Sequence, residues 1–310
     1  MAVGCGIIWI VVLARHQCSG HLAIQGAKTI SDAGHITFQF SEQLRAVFEP
    51  DLGAMWLRWN PKPRPCFNPQ LLAACNEYCQ FLQSRNGFIE HNGETYPVES
   101  SILCSEVPGV FNLGGDLDLF SALIEERDRP GLMKYAMACV EVVYRNFASY
   151  DLPLITVSLV QGQCLGGGFE AALSSQVIIA ERSARFGFPE ILFNLFPGMG
   201  AVSFVLRRST RLIADELTTS SKIYTADELL QKGIVDMVVD DGAGPAAVRD
   251  YLRKKGRAMR TLFRMRRRVQ HLTREELDDI VTLWVDAALR INPRDLKLMG
   301  HLVARQNRLA

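Results

Sequence analysis

Hydrophobic and polar residues follow two different periods along this chain. Short apolar runs rich in β-branched residues, such as 155–160 and 177–180, predict buried strands. Longer stretches with apolar residues three and four apart, above all 69–85 and 132–150, predict helices with one face in a core. Strand and helix patterns alternate to about residue 240, and only helical patterns follow. The pattern therefore predicts an α/β fold with a C-terminal all-helical region.

The first part of the chain carries weaker signals. We interpret 1–40 as a poorly ordered leader, because its apolar run is too short to span a bilayer and no basic residue precedes it as in a signal peptide. Ser41 predicts the N-cap of a short helix that ends at Phe48. The predicted divisions are the leader, an α/β core and a helical region, at 1–40, 41–240 and 241–310.

Two apolar runs end in glycines and lead directly into a helix pattern. One is Val-Phe-Asn-Leu-Gly-Gly-Asp-Leu at 110–117, where Asp116 predicts a helix N-cap, and the other contains three consecutive glycines at 166–168. Such junctions leave backbone N–H groups unpaired, so convergent amides of Gly115 and Gly167 would form an oxyanion hole. Two ordinary glycine turns are the alternative interpretation. Neither junction matches a dinucleotide or nucleotide loop motif.

Two glutamates with apolar neighbours follow the second glycine junction. Phe169 precedes Glu170, and Phe188 lies two residues before Glu190. Desolvation of a carboxylate by such neighbours raises its pKa toward the range useful for proton transfer. The predicted helix start would instead lower the pKa of Glu170, so the sequence leaves the direction of that shift open.

Composition narrows the class of protein. A hydrophobic fraction of 48% and a charged fraction of 22% are those of a soluble globular protein, and the net charge of +1 disfavours nucleic acid and anionic membranes as partners. The eight cysteines include no Cys-x-x-Cys pair, which favours structural thiols in the cytoplasm over metal ligands or disulfides. Nine Lys and Arg residues at 253–268 predict a solvated helix face or a patch for an acidic or phosphate-bearing partner.

Four motifs in order resemble the crotonase (enoyl-CoA hydratase/isomerase) superfamily. They are Phe-x-x-Gly-x-Asp-Leu, Gly-Gly-Gly-x-Glu, Gly-x-Pro-Glu and Phe-Pro-Gly-Met-Gly, and the resemblance extends from Leu52 to the C-terminus. It implies a spiral of β-β-α repeats with a C-terminal helical region, assembled as trimers or hexamers. It also implies thioester substrates, with the carbonyl held by the amides of Gly115 and Gly167 and with Glu170 and Glu190 as the acid/base pair.

Further features resemble one branch, the bacterial diffusible signal factor synthases. They are Arg64-Pro-Cys-Phe, Phe111-Asn-Leu-Gly-Gly-Asp-Leu, Gly187-Phe-Pro-Glu-Ile-Leu-Phe, Leu195-Phe-Pro-Gly-Met-Gly-Ala-Val-Ser-Phe and Trp284-Val-Asp. The resemblance implies dehydration of a 3-hydroxyacyl-acyl carrier protein to a cis-2-enoyl thioester. Hydrolysis then releases a free cis-2-unsaturated fatty acid used in quorum sensing. A receiver domain of a sensor kinase is a further partner that it implies.

The chemistry that the resemblance implies sets expectations for the cofactor and for the cavity that holds the acyl tail. No cofactor is expected beyond the acyl carrier protein or CoA that carries the substrate as a thioester. No membrane span is expected either. The acyl tail needs an apolar cavity, for which the candidates are Phe193, Leu195, Phe196, Met199 and Phe204, with core packing as the alternative for each. Two other functions stay open, an enoyl-CoA hydratase or isomerase of fatty acid degradation and a catalytically silent partner-binding protein.

Overall fold

The structure of the protein, a computed structural model, describes residues 28–32 and 34–307, with side chains over 34–301. The strands are β1 (Lys28–Asp32), β2 (His35–Ser41), β3 (Leu44–Glu49), β4 (Ala54–Trp59), β5 (Phe88–His91), β6 (Glu94–Pro97), β7 (Ser100–Ser105), β8 (Val110–Asn112), β9 (Ile155–Val160), β10 (Gln163–Leu165), β11 (Val177–Glu181), β12 (Arg185–Gly187), β13 (Tyr224–Thr225) and β14 (Met237–Val239). The α-helices are α1 (Pro69–Ser84), α2 (Leu117–Glu125), α3 (Arg129–Phe147), α4 (Gly167–Ser174), α5 (Ala201–Leu206), α6 (Arg211–Thr219), α7 (Ala226–Gln231), α8 (Gly244–Val269), α9 (Arg274–Ala288) and α10 (Pro293–Asn307).

The strands form a large sheet, a small sheet and a hairpin. The large sheet has the order β1-β2-β3-β4-β7-β9-β11-β14, antiparallel as far as β4 and parallel beyond it. The small sheet has the order β13-β12-β10-β8. The chain passes from the large sheet to the small sheet and then to a helix three times, as β7-β8-α2, β9-β10-α4 and β11-β12-α5. This repeat confirms the predicted spiral of β-β-α units.

The large sheet is covered on both faces, which explains its continuous apolar strands. Every residue of β9 is buried. One face packs with α1, α3 and α4 in the main core, and the other face contacts Val248 and Phe263 of α8. The stripe predicted on α3 is confirmed, since Leu132, Ala136 and Val140 are all buried. Burial of a Leu or Val side chain contributes about 1.5–3 kcal/mol when it is fully removed from water.

The short helix predicted from Ser41 to Phe48 is wrong. Those residues end β2 and form β3, where Leu44, Ala46 and Phe48 are buried in alternation. The Ser41 hydroxyl accepts the N–H of Gln43 in the turn between the strands, so the residue that resembled a helix cap closes a hairpin instead. Pairing with β4 outweighs the local cap signal.

The sheet also begins within the segment predicted to be a leader. Strand β1 pairs with β2 in register from Lys28↔Gln39 to Asp32↔His35, so 28–32 and 35–41 belong to the large sheet. A poorly ordered leader that extends to residue 40 is therefore wrong for this part. The apolar run at 6–14 lies outside the described residues.

The C-terminal region is helical, as predicted, and packs on the α/β core. Helix α8 lies against β9 and β11, α9 against α3, and α10 against α2 and the 3₁₀ helix Glu190–Phe193. None of the helices in the described ranges combines the length and apolar character needed to cross a membrane. Helix α7 begins with a capping box, with Thr225 Oγ1 accepting the Glu228 N–H at 3.2 Å and Glu228 Oε2 accepting the Thr225 N–H at 2.8 Å.

Candidate active site

A largely apolar cavity of about 180 Å³ lies where the small sheet meets the C-terminal helices. Its polar groups come from the two glycine junctions and from Glu170, Glu190, Gln163 and Ser221. Its apolar side chains come from distant parts of the chain and are Leu113, Leu117, Phe120, Ala136, Leu165, Pro189, Leu192, Phe193, Leu195, Met199, Ile223, Val281, Trp284 and Met299. A lining of this kind suits a hydrocarbon chain with one reactive end.

The two glycine junctions meet at one wall of the cavity. Strands β8 and β10 are parallel neighbours, with Asn112 opposite Cys164, so the loops that follow them lie side by side. Their contact is close enough to require glycine, because a Cβ on Gly114 would lie 2.9 Å from the Gly167 nitrogen. The φ angle of Gly114 is +96°, which also favours glycine. Parallel pairing thus brings together two turns that are about fifty residues apart in sequence.

The amides of Gly115 and Gly167 are the free donors at this wall. Neither N–H donates a hydrogen bond to another group of the described residues, and both glycines line the cavity. The neighbouring amides are occupied, since the Gly114 N–H donates to Asn112 Oδ1 at 2.8 Å and the Gly166 N–H donates to the Gly187 carbonyl at 2.9 Å. Two free amides beside each other form the arrangement that stabilises an oxyanion.

Glu170 lies in the first turn of α4 and is only 1% exposed. Its Oε1 accepts the N–H of Met199 at 2.7 Å and the N–H of Ala201 at 2.9 Å. Burial raises the pKa of Glu170 to about 7, although the backbone donors oppose the shift. Desolvation therefore decides the direction that the sequence left open.

Glu190 begins the 3₁₀ helix that follows β12 and faces the same cavity. The residue is partly exposed, but its Oε2 is shielded from solvent and has no hydrogen-bond partner among the described residues. Burial raises the pKa of Glu190 well above its usual range, and the charge of Glu170 raises it further. A Cβ on Gly166 would lie 2.7 Å from Glu190 Oε1, so this glycine makes room for the carboxyl group. The pair therefore retains at least one proton at neutral pH.

Residues 91–275 match the enoyl-CoA hydratase/isomerase family. The chain belongs to this family. The mitochondrial methylglutaconyl-CoA hydratases of Rattus norvegicus and Homo sapiens are each 30% identical over 156 residues, which cover 50% of this chain and 47% and 44% of theirs. The chain thus matches about half the length of these curated relatives.

Solved structures show the same crotonase fold. The enoyl-CoA hydratase of Bacillus halodurans has a TM-score of 0.68 at 18% identity, covering 84% of this chain and 100% of that one. The human mitochondrial delta3-delta2-enoyl-CoA isomerase has a TM-score of 0.67 at 19% identity, covering 86% and 99%. The family and fold expected from the four motifs are therefore confirmed.

Three of the five acyl-pocket candidates line the cavity of this crotonase. They are Phe193, Leu195 and Met199. Phe196 and Phe204 are not among its lining residues, which favours core packing, the alternative interpretation, for these two. Phe196 packs partly buried against the main core, and the buried ring of Phe204 lies 5.6 Å from the ring of Phe147. Side chains within this segment point in different directions, so proximity in sequence to Glu190 did not decide the lining.

Few sequence signals indicated the part of the cavity wall that the C-terminal helices form. Val281 and Trp284 of α9 and Met299 of α10 lie there, more than eighty residues beyond Glu190 in sequence. The Trp284-Val-Asp motif was the available signal, because it marked a feature of the resembled branch outside the catalytic motifs. Helix packing positions these side chains, and no local pattern encodes that packing.

Proposed function

We propose that this protein is a diffusible signal factor synthase. It dehydrates a 3-hydroxyacyl thioester to a cis-2-enoyl thioester and hydrolyses that product to a free cis-2-unsaturated fatty acid for quorum sensing. The observation that carries the proposal is the joining, on one apolar cavity, of two free amides and two carboxyl groups whose pKa values are raised.

Dehydration uses the carboxyl pair and the amides together. The ionised carboxylate of the Glu170–Glu190 pair removes a proton from C2, and the protonated partner donates its proton to the C3 hydroxyl as the C3–O bond breaks. The thioester oxygen becomes negative meanwhile, and the amides of Gly115 and Gly167 stabilise that charge. The pair has gained one proton and lost one, so it leaves this step with the same proton count.

Hydrolysis then needs no additional group. The carboxylate formed in the first step takes a proton from water, and the resulting hydroxide adds to the thioester carbon. The same two amides hold the tetrahedral oxyanion, whose collapse breaks the C–S bond. A proton from the pair goes to the departing thiolate, which is the thiol of an acyl carrier protein or of CoA.

Features that resemble the signal factor synthases surround this site. Trp284 lines the cavity, and the Arg64 guanidinium binds Asp116 at 2.7 Å beside Gly115. This placement favours the synthase over an unrelated crotonase activity. The cysteines of the described residues are free thiols, which fits the proposed cytoplasmic location. Assembly as a trimer or hexamer and binding of a sensor-kinase receiver domain belong to the same proposal.

An enoyl-CoA hydratase or isomerase of fatty acid degradation is the second candidate. The names of the relatives favour it, because they are CoA hydratases and an isomerase. The same carboxyl pair and amides would serve the reversible addition of water to a trans-2-enoyl-CoA.

Product analysis separates the two candidates. The protein is incubated with 3-hydroxyacyl-acyl carrier protein and, separately, with 3-hydroxyacyl-CoA, and the products are identified by mass spectrometry. Free cis-2-unsaturated acid is the result expected of the synthase. Reversible conversion between 3-hydroxyacyl-CoA and trans-2-enoyl-CoA without release of acid would instead establish the second candidate. No turnover of either substrate would favour a silent, partner-binding crotonase.

A further inference from the structure

We propose that Tyr135 is a positioning residue for the oxyanion hole, holding the loop of Gly115 so that its amide faces the thioester oxygen. This inference rests on the proposed function, in which the Gly115 amide stabilises the oxyanion. Tyr135 lies on α3, between the segment 65–67 and the glycine loop.

The Tyr135 hydroxyl joins two pieces of backbone. It donates to the Phe67 carbonyl at 2.5 Å and accepts the N–H of Asp116 at 2.9 Å. The hydroxyl therefore uses its donor and one acceptor site within the protein. Burial raises the pKa of Tyr135 well above its usual range, so the hydroxyl keeps the proton that it donates.

The segment held by Tyr135 fixes the direction of the Gly115 amide. The Phe67 N–H donates to the Gly114 carbonyl at 2.8 Å. That carbonyl and the Gly115 N–H belong to one planar trans peptide, so they point in opposite directions. When the carbonyl faces the segment 65–67, the N–H must face away from it, toward the cavity that Gly115 lines.

The second hydrogen bond prevents rotation of the next peptide. Because the Asp116 N–H is held by Tyr135, the peptide between Gly115 and Asp116 cannot turn without breaking that bond. Arg64 secures the same loop from outside through Asp116. Glycine residues permit many backbone conformations, so an oxyanion donor on a Gly-Gly loop depends on such external restraints.

The ring of Tyr135 supports the hydroxyl. It is 6% exposed and packs edge-to-face on Phe120, with ring centroids 5.0 Å apart. Phe120 in turn covers Gly115, since a Cβ there would lie 2.6 Å from the Phe120 ring. Tyr135→Phe therefore keeps the packing and removes the hydroxyl with its hydrogen bonds, which include one to Cys139 on the next turn of α3.

Tyr150→Phe is the matched control. Tyr150 is also a buried tyrosine, its hydroxyl donates to Asn146 Oδ1 at 3.2 Å, and it does not line the cavity. Both variants lose a buried hydroxyl and its hydrogen bonding, so each should be less stable than the unchanged protein. Only Tyr135→Phe should lower kcat, by about tenfold or more with little change in KM, since complete loss of an oxyanion donor costs about 10²–10³ in kcat.

A spectroscopic measurement tests orientation directly. A conjugated cinnamoyl thioester of CoA absorbs at longer wavelength when donors polarise its carbonyl, so the bound probe should shift to the red in the unchanged protein and in Tyr150→Phe. The shift should shrink in Tyr135→Phe. Replacement of Tyr135 by 4-aminophenylalanine, which keeps a donor at the same place, should restore much of the shift and of kcat. This second variant also serves if Tyr135→Phe folds poorly.

These measurements distinguish a failure of the Tyr135 proposal from a failure of the proposed oxyanion role of Gly115. If the unchanged protein shifts the probe and Tyr135→Phe retains the full shift and kcat, Tyr135 does not position the amide and the proposed function stands. If the probe binds to the unchanged protein without any shift, the oxyanion role of Gly115 is wrong and the role of Tyr135 is wrong with it. An equal loss of kcat in Tyr135→Phe and Tyr150→Phe would also overturn the proposal, because it would show a general structural effect.

Discussion

At the scale of single residues, environment distinguishes two chemically identical side chains. Glu170 receives backbone hydrogen bonds that favour its ionised form, whereas Glu190 Oε2 has none among the described residues. Both pKa values are raised by burial, and that of Glu190 is raised further by the neighbouring charge. A pair of carboxyl groups that shares one proton contains the acid and the base that dehydration requires.

Replacing either glutamate should abolish most of the activity. We expect Glu170→Gln and Glu190→Gln each to lower kcat by about 100-fold or more, the usual contribution of a general acid or base. The rate of product formation from the acyl thioester measures the loss of activity. Glu181→Gln is the control, because Glu181 is buried on β11 away from the cavity and binds Gln161. Full activity in both site variants would refute the catalytic role of the pair.

The pH dependence of stability should reveal the raised pKa of Glu170. A carboxyl group with a pKa of about 7 in the folded protein and 4.5 ordinarily binds its proton more tightly when folded. Its contribution is therefore fully present below pH 4.5, declines as the pH rises, and is lost above about pH 7. The full difference corresponds to about 3 kcal/mol. Denaturant unfolding from pH 4.5 to 8 should show a smaller decline for Glu170→Gln than for the unchanged protein, and equal slopes would contradict the shift.

Near pH 7 the activity should rise with pH, whereas the stability declines. Turnover needs one ionised and one protonated carboxyl group, so kcat/KM should rise as the pair loses its first proton near pH 7 and fall as it loses its second proton at higher pH. Initial rates across this range measure both limbs. A rate that stays constant from pH 5 to 9 would exclude proton transfer by this pair from the rate-limiting step.

At the scale of elements, the parallel pairing of β8 and β10 brings the two glycine junctions together. The sequence predicted each strand-glycine-helix junction, because apolar runs, glycines and the Asp116 cap are local signals. Their contact could only be hypothesised, since the pairing of short strands is not encoded locally. The false helix at Ser41 has the same origin, because pairing with β4 overrides a local cap.

Gly114→Ala should disrupt the contact between the two glycine junctions. The substitution adds a Cβ 2.9 Å from the Gly167 nitrogen at a residue with φ of +96°, so the two junctions must separate. Gly109→Ala is the control, because Gly109 also has positive φ, +71°, but no atom lies within 4 Å of the added Cβ. We expect both variants to lose about 1 kcal/mol or more in the free energy of unfolding from strain, and only Gly114→Ala to lose most of its activity. Equal activity in the two variants would show that the close contact is dispensable.

At the scale of the whole molecule, the C-terminal helices complete the site. Met299 of α10 is fully buried and lines the cavity, together with Val281 and Trp284 of α9. The four motifs predicted the family and the polar groups, because chemistry restricts those residue types. The apolar wall could not be predicted, because many side chains fill such positions equally well and only tertiary packing selects them.

Shortening Met299 should change which acyl chains fit. Met299→Ala enlarges the inner cavity, so we expect a preference for longer or branched acyl chains and a loss of about 2–5 kcal/mol in stability. Competition between acyl thioesters of different length measures the preference. Leu298→Ala, at a neighbouring position that is 41% exposed, is the control and should change neither property strongly. An unaltered chain-length profile in Met299→Ala would place the acyl tail elsewhere.

The cavity lining includes buried side chains such as Val281 and Met299, and it also includes Leu192 and Ile223, which are exposed to solvent. Under the proposed function, an acyl chain that enters beside these exposed residues goes in with its methyl terminus leading and its carrier last. The freed acid leaves on the same exposed side, through the opening that the carrier has occupied. Departure is thus ordered, with the thiol first and the fatty acid second, and an excess of fatty acid would slow the next turnover by occupying the space that the incoming chain requires.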